Sequence, residues 1–88
     1  MKENKLQNNQ SELIHIIRRL QIMSDSNDDI STRSFDLFGI EQIEVTYDRR
    51  KKLYSIAYYN ENIVFSFDDL DLAAIEIFQI LNDIKDNF

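Results

Sequence analysis

The sequence predicts an α+β domain in the order α-β-β-β-β-α, and three observations carry that prediction. Near both ends of the chain apolar residues recur at spacings of three and four, the period of a helix. Between residues 31 and 67 they recur at two, the period of a strand. The breaks between these strand-like runs are too short for a crossover helix, so the strands form an antiparallel meander with the two helices packed on one face.

The order begins near Asn9. Residues 1–8 carry Lys, Glu, Asn and Gln with little to bury and read as a flexible tail; residues 9–88 read as a single domain. Asn9 followed by Glu12 has the form of a capping box, and Leu13, Ile16, Ile17, Leu20 and Met23 then form a helical stripe opposite Glu12, His15, Arg18 and Arg19. The polar segment 24–29, SDSNDD, ends that helix, because its side chains compete for backbone hydrogen bonds.

From Ser31 the period becomes two, with Arg33, Phe35 and Leu37 alternating against Thr32, Ser34, Asp36 and Phe38. Gly39, the only glycine, is expected at positive φ in the turn to the next strand. There Ile43, Val45 and Tyr47 alternate with Gln42, Glu44 and Thr46, one face dry and the other wet. Residues 48–52, DRRKK, form a hairpin loop by position. The strand that follows is apolar on both sides: Tyr54, Ile56 and Tyr58 on one, Leu53, Ala57 and Tyr59 on the other, which suits an interior strand. Asn60, Glu61 and Asn62 supply a turn, and residues 63–67 make a short fourth strand. Asp68 is placed to cap the last helix, with Asp69 and Asp71 at the positive end of its dipole. Leu70, Ala73, Ala74, Ile77, Phe78, Leu81 and Ile84 make its apolar face.

Composition narrows the function classes. No cysteine is present, which excludes disulfides, a thiol nucleophile and thiolate metal sites, and a lone His15 cannot build a histidine metal centre. No cofactor is expected. No apolar run approaches a membrane span, and the polar start lacks a signal-peptide core, so a cytoplasmic protein with no membrane contact is expected. The net charge is -6, and seven of the sixteen acidic residues but only one of the ten basic ones follow residue 60.

The C-terminal half resembles a family of small, uncharacterised bacterial proteins typified by YkuJ. The residues that carry the resemblance are Phe67, Asp68, Leu70, Asp71, Ala74, Ile75, Glu76, Ile77, Phe78 and Leu81, with a weaker likeness in the helix LIHIIRRLQIM and the strand IEVTYD. The resemblance implies an α+β domain with helices on an antiparallel sheet, and brings no activity or catalytic residue with it. The four consecutive basic residues 49–52 are a departure from the family pattern.

Four groups of residues are candidates for function. Arg49, Arg50, Lys51 and Lys52, with Tyr54, Tyr58 and Tyr59 on the adjoining strand, have the mix of charge and aromatic faces that holds single-stranded nucleic acid. A solvated hairpin tip with core tyrosines explains the same residues, and an acidic chain lacks the positive field that phosphate binding needs. Asp68, Asp69 and Asp71 are oxygen donors for a hard cation, but they lack the spread of ligands a calcium loop requires, and helix capping accounts for them. His15 has no motif-placed partner for acid–base work, so no enzyme is expected. Leu72, Ile75, Ile14 and Ile22 depart from the apolar stripes of their helices and are left over once the core is built. They point to a homodimer or to an unidentified protein partner, with nucleic acid binding as the alternative.

Overall fold

The computed structural model describes the backbone of residues 2–59 and 61–86 and the side chains of residues 11–59 and 61–86. Its elements are α1 (Lys2–Asp25), β1 (Ile30–Leu37), β2 (Ile40–Asp48), β3 (Leu53–Tyr58), β4 (Val64–Phe67) and α2 (Leu70–Asp86). The four strands form one antiparallel sheet in the order β1-β2-β3-β4. The expected fold class and element order are found.

Register assigns the two faces. Phe35 pairs with Ile43, Val45 with Ile56, Tyr47 with Tyr54, and Tyr54 with Phe67, so these side chains share one face of the sheet. That face meets the helices: Phe35, Ile43, Val45, Tyr47, Tyr54 and Ile56 are buried together with Ile16, Leu20 and Met23 of α1 and Ala73, Ala74, Ile77, Ile80 and Leu81 of α2. The two alanines keep the α2 backbone close to the sheet, while Ile77, fully buried, fills the centre. Ile80 lies outside the stripe read from the sequence, although its spacing of three from Ile77 is compatible with it.

Two helix starts differ from expectation. α1 is helical from Lys2, so Asn9 lies inside it rather than at its cap, and residues 2–8, expected as a tail, are its first turns. Lys, Glu and Gln are good helix formers, no glycine or proline interrupts them, and extending a nucleated helix costs little. Among the described side chains of α1, Leu13 is the first that packs on the core. α2 is capped by Asp69, not Asp68: Asp69 Oδ1 accepts the backbone N–H groups of Asp71 at 2.8 Å and Leu72 at 3.2 Å. Phe67 is held opposite Tyr54 in the sheet, and Asp68 is used up as the link between strand and cap.

The hairpins also have distinct chemistry. Leu37 to Ile40 turns through two residues, Phe38 at φ 54° and Gly39 at φ 76°, the paired positive angles of a type I′ turn whose twist matches the sheet. Gly39 therefore has the expected conformation, whereas Phe38 is a bulky residue in a region that usually costs it about 1–3 kcal/mol. A bulge between Phe35 and Asp36 bends the β1 edge. In the 49–52 hairpin, Asp48 Oδ1 accepts the backbone N–H groups of Arg50 and Lys51 at 3.0 and 3.1 Å, and Lys52 turns the chain back at φ 55°.

Candidate interaction surfaces

The basic hairpin projects from the end of the sheet where α1 finishes and α2 begins. Arg49, Arg50, Lys51 and Lys52 are all exposed. Two of them are tied to the α1–β1 loop: Arg49 Nη1 donates to the Ser26 carbonyl at 3.3 Å, and Arg50 Nη2 lies 3.5 Å from Asp29 Oδ2. The aromatic half of the sequence reading is not assembled there. Tyr54 faces the core, 2% exposed, and its hydroxyl donates to the Leu20 carbonyl at 2.9 Å, so its ring is closed to stacking. Tyr58 lies on the same inward face by register. Tyr59 is exposed, but it follows β3 at the far end, its N–H bonded to the Gln42 carbonyl. At about 3.3 Å per strand residue that is roughly 20 Å from Lys52.

The carboxylates that open α2 are also accounted for. Asp69 is occupied as the cap, and among the described residues no group of three or more His, Asp or Glu side chains is arranged to hold a metal ion. His15 is exposed on α1, at the rim of a cleft of about 280 Å³ with Arg19, Asp36 and Lys85 over a floor of Phe35 and Leu81. Two of the charges around it have partners: Lys85 pairs with Glu12 across the helices, and the Arg19 guanidinium stands 5.1 Å from the centre of the Phe35 ring. This cleft was not visible in the sequence because residues 12 and 85 come from opposite ends of the chain.

The apolar residues left out of the helical stripes are on the outside. Ile22 is 60% exposed, Leu72 53%, Ile14 48% and Ile75 44%. A second apolar surface escaped the sequence reading. Ile63, Val64 and Phe65 are consecutive and exposed, and β4 is an outer strand of the sheet. Its signal was available: the run IVFSF carries no charge and comes last in a meander, which makes it an edge.

The relationships of the chain agree with its architecture. A family described as a protein of unknown function, DUF1797, matches residues 16–81. The chain belongs to that family. The match runs from buried Ile16 of α1 to buried Leu81 of α2, so the family signature takes in the sheet with its helical cover. The crystal structure of the YkuJ protein from Bacillus subtilis is similar at a TM-score of 0.72 and 24% identity, covering 78% of this chain and 95% of that one. At that identity the likeness speaks for the fold, and it agrees with the resemblance read from Phe67 to Leu81. No curated protein matches the chain. Among the described residues no helix is long and apolar enough to cross a membrane.

Proposed function

We propose that this DUF1797 domain is a non-catalytic interaction module of the cytoplasm, self-associating as a homodimer through the outer faces of its helices. The supporting observation is that Leu72 and Ile75 on α2, and Ile14 and Ile22 on α1, stand about half in water although each helix has a complete apolar stripe buried elsewhere. Covering side chains of this size removes apolar surface from water at about 25 cal/mol per Å², a gain that a thin single core leaves unused. Sedimentation velocity over a wide concentration range tests the reading. A dimer that dissociates in Ile75→Asp and Leu72→Asp supports it; a monomer throughout, with neither substitution changing stability or any interaction, refutes it.

The second reading is a nucleic-acid-binding module using Arg49, Arg50, Lys51 and Lys52. It is favoured by one observation, four exposed basic side chains on one tight loop. Reversing all four charges and measuring RNA and DNA binding at low salt decides it, since phosphate contacts are lost steeply as salt rises.

A further inference from the structure

The two edges of the sheet are built differently. β1 carries Arg33 and Asp36 and is bent by its bulge, the devices that keep an edge from pairing with a foreign strand. β4 has no charged residue, its register with β3 is unbroken, and Val64 and Phe65 are 59% and 40% exposed. The Tyr58 N–H donates to the Ile63 carbonyl. In an antiparallel ladder bonded residues alternate, so Phe65 and Phe67 face β3 with their backbone groups, and the N–H and C=O of Val64 and Ser66 point outward. That is a row of two donors and two acceptors beside exposed apolar side chains.

The helix side of this row is acidic toward Ile63, and the basic hairpin 49–52 stands beyond Phe67 at its other end. On the helix side Phe65 packs edge-on against Tyr58, ring centres 6.1 Å apart. Burial raises the Tyr58 hydroxyl above its ordinary value of 10.0, and the negative charges of Glu76, Glu61 and Asp83 nearby add to the rise. Asp68 and Asp69 stand at the other end of the strand, and among the described residues the ion pairs involve none of these five carboxylates.

We propose that β4 is a docking edge for a short, extended, basic protein segment, which adds a fifth strand through the backbone of Val64 and Ser66. Such a segment alternates its side chains between the two faces. On the helix side a Lys or Arg lies over the Tyr58 and Phe65 rings within reach of Glu76 and Asp83. On the open face an aliphatic side chain packs beside Val64. Charge selects this occupant over a second copy of the chain. A two-fold pairing centred on Phe65 sets Glu61 opposite Asp69 of the other copy at both ends of the strand, where like charges oppose association. The proposal names a partner class for the interaction reading but uses another surface, so the two fail separately.

The test uses the full chain and a short, end-capped, fluorescent peptide of alternating valine and lysine. Controls are the same peptide with glutamate for lysine, and the same peptide N-methylated at the residues that would bond the edge. Fluorescence anisotropy at low salt is expected to give saturable binding of the basic peptide alone. Affinity should fall at least about tenfold in the combined Glu76→Gln, Asp83→Asn variant and in Val64→Pro, which removes an outward N–H that β3 does not use. Amide resonances of Val64 and Ser66 should shift on titration. Ile75→Asp should leave peptide binding unchanged even if it abolishes a dimer. No saturable binding overturns the proposal. So does binding indifferent to N-methylation of the peptide, a result independent of how any variant folds, because it marks unspecific attraction to an acidic surface. Sedimentation that finds a dimer lost in Val64→Pro assigns the edge to a second copy and equally overturns it.

Discussion

Replacing Tyr54 with phenylalanine separates a hydrogen bond from the packing around it. The ring is 2% exposed, lies 4.5 Å from the Tyr47 ring centre, and is retained by the substitution. Only the hydroxyl, which donates to the Leu20 carbonyl at 2.9 Å, is lost. That carbonyl lies within α1 and keeps its helical partner, so no acceptor is stranded, and the expected cost at neutral pH is the net value of one bond, about 1 kcal/mol. For a domain of this size that is a fall in Tm of roughly 4–8 °C. The same hydroxyl makes the difference depend on pH. Burial raises its pKa above 10.0, a rise that hydrogen bonding with Ser24 partly offsets and the charges of Tyr47 and Asp25 reinforce. The folded state thus holds this proton more tightly than the unfolded chain. Its contribution to stability is complete below pH 10 and is lost as pH rises from there through the folded pKa. Urea unfolding followed by circular dichroism at pH 7 and at several pH values above 10 should show the wild type losing its advantage over Tyr54→Phe, with other tyrosines cancelling in the comparison. A constant gap across that range, or no gap at pH 7, refutes the argument that the buried hydroxyl is a protonated donor tying β3 to α1.

Three further outcomes follow from the packing and the turns. Ile77→Ala removes a fully buried side chain between helix and sheet and should cost about 2–5 kcal/mol in chemical denaturation, enough to leave a domain of this size marginal. Asp69→Ala should cost about 1 kcal/mol while Asp68→Ala stays near zero, since only the former accepts the N–H groups of Asp71 and Leu72; equal effects in thermal melts would reassign the cap. Gly39→Ala meets no atom within 4 Å, so its cost comes from the positive φ alone and should be about 1–2 kcal/mol, with Gly39→Asn largely recovering it.

The family relationship and the surfaces above raise a question of division of labour within one small chain. The core takes one face of each helix and one face of the sheet, leaving the outer helix surface and the β4 edge free. The two surfaces differ in chemistry, one aliphatic and one a backbone edge with carboxylates beside it. Combining Ile75→Asp with Val64→Pro reads the two separately, because distant sites act additively.

The element order was legible in the sequence because it rests on local physics. A side chain's period along the chain says which elements form, and Asn, Asp and Gly at the breaks say where the chain turns. Thus the stripe from Leu13 to Met23, the alternation of Ile43, Val45 and Tyr47, and the positive φ of Gly39 all appear as read. Where two local solutions differ little in energy, tertiary structure decided between them. Asp69 rather than Asp68 caps α2 because Phe67 is fixed opposite Tyr54, and α1 extends to Lys2 because nothing in its polar start opposes a helix that the core has nucleated. Function depended still more on assembly. Tyr54 and Tyr59 are five residues apart in sequence, yet one is closed into the core and the other exposed, which no composition of a basic and aromatic segment reveals. The cleft joining Glu12 to Lys85 and the approach of Glu76 and Asp83 to Tyr58 exist only after distant segments meet. Periodicity is a property of neighbours along the chain; a site is a property of neighbours in space.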